Sequence, residues 1–158
     1  MTEPRVGLGF DCHPTAPDRP LELGGVRFDG TPGLAGHSDG DVVCHALADG
    51  LLGAAGLGDV GEHFPDTDPA VAGIAGLDLL GRTVSVLGAR RLVPASVDVT
   101  VIAERPAIAP RRDEMRRALA GALDLPVERV SVKATRPEGL GLSGEGIGCL
   151  ALVVVRTA

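Results

Sequence analysis

Nine consecutive residues near the C-terminal end, Ile147 to Val155, carry no charged side chain and offer no polar face. Neighbouring side chains of a strand point to opposite faces, so a segment apolar at every position has nothing to present to water. Such a strand belongs in the centre of a sheet, or in a sheet whose outer face is covered by another copy of the chain. The core around it has to be assembled from Ala, Val, Leu and Ile: 44% of the residues are hydrophobic but only 2% aromatic, with three Phe and neither Trp nor Tyr. So little aromatic bulk for a self-contained core again points to an oligomer.

At 158 residues the chain is expected to form one domain, residues 1–158, burying about 68–70% of its unfolded surface. Its 23 Gly and 12 Pro predict many loops, while the patterned apolar runs exclude a disordered chain. A net charge of −6 and the lack of aromatic platforms argue against nucleic acid as a partner. A phosphate substrate stays open, because helix N-termini and metal ions act locally. Cys12, Cys44 and Cys149 are an odd set without framework spacing, as expected of reduced thiols in the cytosol. The Met1 to Pro4 segment has neither the charged nor the apolar region of a signal peptide, and Ile147 to Val155 is too short for a membrane span. A soluble cytoplasmic protein without a membrane partner is expected.

The pattern predicts a strand near Arg5 to Phe10, a Pro-rich turn from Pro14 to Pro20, and two short extended segments within Leu21 to Phe28. A helix beginning near Ser38 carries Val42, Ala46, Leu47 and Leu51 as an apolar stripe and ends in the Gly-rich Gly53 to Gly61. Pro69 is expected to open a packing helix through Leu77, Leu80, Val84 and Leu87. Val97, Val99 and Val101 alternate with Asp98, Thr100 and Ile102, a strand buried more on one face, and Pro110 opens a second helix to Leu123. Arg111, Arg112, Arg116 and Arg117 read as its solvated face. Strands Val130 to Ala134 and Ile147 to Val155 close an α+β fold: a mixed sheet covered by helices on one face and oligomerising through the other.

Two short stretches concentrate metal and anion chemistry. On a strand, Asp11 and His13 lie on one face while Cys12 points away. If Ser38 or Asp39 caps the following helix, His45 sits about two turns in and closes the set. A carboxylate with two imidazoles suits Zn²⁺ with a fourth position left for substrate. Each fragment alone also has a commonplace reading, as a hydrogen-bonded strand end or a packed helix histidine. Cys12 and Cys44, which flank these residues, make a thiolate site the minor alternative. Asp41 or Asp49, four residues either side of His45, could receive its second ring N–H, or be ordinary helix charges.

Four segments occur in order over almost the whole chain: GLGFDCH, GLAGHSDGDVVCHALADGLLGAAGLGDVGEHFPDTDP, VDVTVIAERPAIAP and VSVKATRPEGLGLSGEGIG. Together they closely resemble the 2-C-methyl-D-erythritol 2,4-cyclodiphosphate synthase family of the non-mevalonate isoprenoid pathway. The resemblance implies a homotrimer packed around a three-fold axis, with active sites between subunits and a cytidine diphosphate-linked substrate. It implies that Asp11, His13 and His45 hold Zn²⁺ and that Glu138 holds Mg²⁺ or Mn²⁺ with the substrate phosphates. His37 and Ser38 match contacts to the 2-phosphate and erythritol, and their place at a helix N-terminus would offer free N–H groups. Asp59, Val60 and Gly61 match the ribose segment, and Phe64 and Asp66 substrate contacts, Asp66 at the erythritol hydroxyls. Ala103, Pro106, Ala107, Ile108 and Ala109 match the loop enclosing cytosine, Thr135 a nucleotide-phosphate contact, and Leu142 a position usually held by phenylalanine.

Two departures stand out. Arg136, followed by Pro137, replaces a threonine assigned to transition-state stabilisation. The Ser143-Gly144-Glu145-Gly146 run lacks two residues, including an arginine that faces phosphate. Arg136 is read as the relocated cation. The competing readings are a diverged trimer that binds a nucleotide or isoprenoid diphosphate with weak or altered activity, and a zinc-dependent phosphate hydrolase.

Overall fold

The computed structural model describes residues 3–139 and 146–158. Leu142 and the Ser143 to Glu145 part of the shortened loop lie outside the described residues. β1 (Arg5–Ala16), β4 (Gly33–Leu34), β5 (Leu92–Ile102), β6 (Val130–Thr135) and β7 (Gly146–Thr157) form a sheet in the order β4-β1-β7-β5-β6. β7 is antiparallel to both β1 and β5, and β5 is parallel to β6, so the sheet is mixed as expected. β2 (Leu21–Leu23) and β3 (Val26–Phe28) make a separate hairpin. The apolar C-terminal strand is the central one.

The first strand runs well past Phe10, because residues 5–14 keep an unbroken ladder with β7. Pro14 lies inside it near the sheet's end, where β1 gains only the short β4 as its other neighbour. Asp11 and His13 are therefore strand residues, in register with Cys149 and Ile147 of β7.

Helix α1 (Val42–Ala55) starts later than Ser38. Gly40 takes φ +78°, which breaks any helix there, and Asp41 is the cap. The wholly buried Asp41 carboxylate accepts the N–H groups of Val43 at 3.0 Å and Cys44 at 3.1 Å, and those of Gly24 at 2.9 Å and Gly25 at 2.8 Å from the β2–β3 turn. These donors are consumed internally. His37 and Ser38 consequently lie in the loop before the helix, not at an open anion-binding N-terminus. His45 stands one turn into α1, not two. Gly56, at φ +69°, ends the helix.

α1 reaches β1 because β1 carries glycine where they meet. A Cβ on Gly9 would stand 1.8 Å from the Ala46 carbonyl oxygen, and one on Gly7 2.0 Å from that of Gly50. α2 (Val60–His63) is a single turn, and α3 (Gly76–Gly88) begins seven residues after Pro69. Residues 69–73 instead form turns, with Gly73 at φ +69°, and Asp39 Oδ2 receives the Gly76 N–H at 2.7 Å. α4 (Arg112–Leu123) follows a 3₁₀ turn at Ala109–Arg111 that holds Pro110. The arginine run is only partly a solvated face. Arg111 lies 5.4 Å over the Phe28 ring, and Arg116 donates to the Val130 and Val127 carbonyls at 2.8 and 3.0 Å.

Val97, Val99, Val101, Cys149, Ala151 and Val153 point into the core under the helices. The alternate rows point the other way, leaving Val6, Leu8, Phe10, Leu150 and Leu152 exposed, Leu8 by 68%. The candidate site's first half sits at one end of this sheet, where β1 meets α1.

Candidate active site

β1 and α1 bring Asp11, His13 and His45 together, with one donor atom of each within 4.8 Å of the other two. Asp11 Oδ2 is shared: His13 Nε2 lies 2.8 Å from it and His45 Nδ1 3.1 Å. The opposite edge of each ring is fixed by a partner. His13 Nδ1 meets the Ala35 carbonyl, which only accepts, so Nδ1 carries a proton and Nε2 is the metal-ligating edge. His45 Nε2 lies 2.8 Å from Ser38 Oγ, leaving Nδ1 to face the cluster. Neither Asp41 nor Asp49 serves His45: Asp41 caps α1, and Asp49 accepts the Val60 N–H at 3.2 Å. Cys44 is buried with its thiol donating to Asp41 Oδ2 at 3.3 Å, and Cys12 points away, so the described geometry favours the Asp-His-His set over a thiolate site.

Electrostatics agree with a site built for a cation. Burial pushes the Asp11 carboxyl up, but the hydrogen bonds and charges of His13 and His45 outweigh it and hold the pKa at about 2. The Asp11 hydrogen bond raises that of His13. One carboxylate and two imidazoles with fixed outer edges match the donor chemistry of zinc.

The loop before α1 is clamped by a residue that the sequence reading passed over. Arg19, in the Pro-rich turn, donates to the Gly36 carbonyl at 2.6 Å and to the Ser38 carbonyl. No motif announces it; an arginine among prolines reads as a turn charge. His37 Nε2 comes within 3.4 Å of Asp66 Oδ2, so two residues expected at the phosphate and erythritol end are neighbours, both largely exposed. Phe10, Asp11, His45, Asp49 and Val60 line a cavity of about 160 Å³. Asp59 caps α2 by accepting the Glu62 N–H at 3.0 Å, and it is followed by Val60, which lines that cavity, and Gly61. Phe64 is buried in the core.

The nucleotide half forms around the ends of β5 and β6. The Ala103 N–H donates to the Thr135 carbonyl at 3.1 Å, tying the expected base loop to the expected phosphate contact. Ala103 and Ile108 are buried and anchor that loop, Pro106 is half-buried, and Ala107 and Ala109 are exposed. The Gly139 N–H meets Glu104 Oε1 at 3.4 Å, holding the turn in which exposed Glu138 takes φ +53°. Glu138 is not part of the Asp11 cluster, and Arg136 is exposed beside Thr135.

Asp11 and Thr135 face different sides of the sheet. Asp11 pairs with Cys149 and Cys149 with Val101, so Asp11 shares the helix-covered face. Thr135 pairs with Ile102 and Ile102 with Gly148, the row that alternates with Val101 and Cys149 and carries Leu150 on the open face.

The YgbB family model matches residues 4–157. The chain is 50% identical over 152 residues to the 2-C-methyl-D-erythritol 2,4-cyclodiphosphate synthase of Symbiobacterium thermophilum, covering 95% of this chain and 97% of that one. It is 47% identical to the synthase of Pelotomaculum thermopropionicum, covering 95% and 93%. A solved 2-C-methyl-D-erythritol 2,4-cyclodiphosphate synthase with CDP bound superposes with a TM-score of 0.89 at 34% identity, over 96% of this chain and 99% of that one. Near-complete coverage, the shared fold and the assembled Asp-His-His cluster lead to one conclusion: the chain belongs to the YgbB family, the 2-C-methyl-D-erythritol 2,4-cyclodiphosphate synthases.

Proposed function

We propose that residues 1–158 are one synthase domain that cyclises 4-diphosphocytidyl-2-C-methyl-D-erythritol 2-phosphate to 2-C-methyl-D-erythritol 2,4-cyclodiphosphate and releases CMP. An oxygen of the 2-phosphate forms a bond to the β-phosphorus as the bridge to the α-phosphate breaks, and the α-phosphate leaves with cytidine. The observation that carries this reading is the convergence of Asp11, His13 and His45 beside the cavity rimmed by Val60, in a chain half identical to a named synthase.

Asp11, His13 and His45 would hold Zn²⁺, which when bound polarises a phosphate oxygen and offsets developing charge. The Ala35 carbonyl keeps His13 in the Nε2-ligating tautomer, and Ser38 Oγ orients the His45 ring. His37 and Asp66 position the 2-phosphate and erythritol end, with Ser38 beside them. Asp59, Val60 and Gly61 receive the ribose, and main-chain groups of 103–109 receive the base, which tolerates alanine at 107 and 109. Leu142 completes the substrate contacts, while Phe64, buried in the core, backs the segment from behind. Thr135 and Arg136 bind phosphate oxygens, and Glu138 would hold Mg²⁺ or Mn²⁺, a hard ion suited to carboxylate and phosphate oxygen. No protein nucleophile is needed; orientation of one phosphate onto another lowers the barrier.

Two features support an oligomer, and the family resemblance makes it a homotrimer. Exposed Val6, Leu8, Phe10, Leu150 and Leu152 make an apolar sheet face that water disfavours. Asp11 and Thr135 point from opposite faces of one sheet, which supports a site completed by a neighbour's nucleotide half. No helix among the described residues is long and apolar enough to cross a membrane, and the cytoplasm is the proposed compartment. Replacement of the family's threonine by Arg136 favours, as second reading, a trimer that binds nucleotide or isoprenoid diphosphate with weak or altered turnover. Incubation of zinc-loaded protein with the cytidine-linked substrate separates the readings: CMP plus cyclic diphosphate supports the synthase, binding without CMP release supports the diverged binder, and a linear phosphate supports a hydrolase.

A further inference from the structure

From Val42 to Leu52, helix α1 is buried at every position except His45 and Asp49. These two are four residues apart, one above the other on the single face that opens to the cavity. His45 has its part in the metal cluster. Asp49 has none, yet an aspartate in a helix interior is an unfavourable choice unless its side chain has something to hold.

Its carboxylate Oδ1 accepts the N–H of Val60 at 3.2 Å. Val60 opens α2, a four-residue turn with no fully buried residue, in which the partly buried Val60 packs against the core. The other side-chain bonds stay within the 57–63 segment: Asp59 takes the Glu62 N–H at 3.0 Å, and His63 Nε2 donates to the Leu57 carbonyl at 2.7 Å. Asp49 is therefore the side-chain hydrogen bond, among the described residues, that fastens the 57–63 segment directly to helix α1. It does so from the helix that carries His45.

We infer that Asp49 is a positioning residue: it sets the 59–61 segment at a fixed height above the metal cluster, so that ribose and diphosphate are held in register. The inference rests on the nucleotide reading above. What it requires of Asp49 is a hydrogen-bond acceptor, not a negative charge, and asparagine supplies one.

Three proteins test it: the unaltered chain, Asp49→Ala and Asp49→Asn, each in the zinc-loaded form. Zinc content, CDP affinity by calorimetry, KM and kcat, and exchange of the Val60 amide by NMR are measured on each. Asp49→Ala is expected to keep its zinc, to exchange the Val60 amide faster, and to bind CDP about tenfold more weakly. KM should rise by a similar factor while kcat changes little, and Asp49→Asn should recover to within about twofold on every readout. Unchanged CDP affinity in Asp49→Ala, zinc loss in that variant, or an asparagine variant as poor as the alanine one would each overturn the positioning role. If the unaltered protein itself fails to bind CDP, the nucleotide reading falls and takes the proposal with it, a result visible before any variant is compared.

Discussion

Gly9→Ala should disable the metal site from behind. The added Cβ would stand 1.8 Å from the Ala46 carbonyl oxygen, where real Cβ contacts below 3.0 Å essentially do not occur. Helix and strand must then separate by at least about 1.2 Å, and the obstacle is backbone, which no rotamer change removes. Ala46 adjoins His45, and the metal-ligand distances of a zinc site tolerate only about ±0.2 Å. The same displacement that costs about 1–3 kcal/mol in overpacking thus carries His45 out of reach of Asp11. Elemental analysis should find zinc well below one per chain, and urea denaturation a lowered midpoint. Gly53→Ala is the control on the same helix: a Cβ there has nothing within 4 Å, and alanine favours the helix by about 0.5–1 kcal/mol. Full zinc and an unshifted midpoint in Gly9→Ala would refute the close approach as what places His45.

Asp11→Asn, His13→Ala and His45→Ala should each lower zinc occupancy with the fold retained; normal zinc by elemental analysis in all three would discard the site. With Asp11 lowered to about 2 from 3.8 and His13 raised above 6.5, their pairing stabilises the zinc-free protein most between those two unperturbed values. The Asp11 contribution is lost as pH falls through about 2, and that of His13 as pH rises through its raised pKa. Zinc, which needs His13 deprotonated, should therefore bind more tightly as pH rises through the His13 pKa, and pH-independent affinity in a zinc titration would contradict the assignment. Leu8→Asp places a charge in the open sheet face and should convert the proposed trimer to monomer by light scattering; a trimer of unchanged stability would relocate the interface. Arg136→Thr should lower kcat/KM by roughly tenfold, about 1.4 kcal/mol, if Arg136 replaces the missing loop cation. An equal or higher value would make it a solvated loop charge.

The sheet was largely legible because apolar alternation survives translation into structure: Val97, Val99 and Val101 are buried as their spacing predicts, and the uniformly apolar 147–155 segment is the central strand. The Asp11 and His13 pairing needed only the two-residue strand period. Helix starts were harder. Ser38 and Asp39 look like caps, but the donors at the start of α1 are claimed by Asp41, whose other partners are the Gly24 and Gly25 amides, distant in sequence. Pro69 is a good first helical residue, yet α3 waits for Gly76, whose amide meets Asp39 across the loop. The Arg19 clamp, the Ala35 carbonyl on His13 and the Asp49 tie share this character. Each is one hydrogen bond between segments that no local pattern links.

The proposed site takes its metal half and its nucleotide half from different subunits. Asp11→Asn removes the first and Glu138→Gln the second, and each variant alone should be inactive. Refolded together in equal amounts they form mixed trimers, in which a site pairing neighbours is intact in about one quarter of cases. Measured CMP release in the mixture should therefore recover to about one quarter of that of the unaltered protein. No recovery, in mixed trimers confirmed by mass spectrometry, would place both halves in one chain and contradict the account.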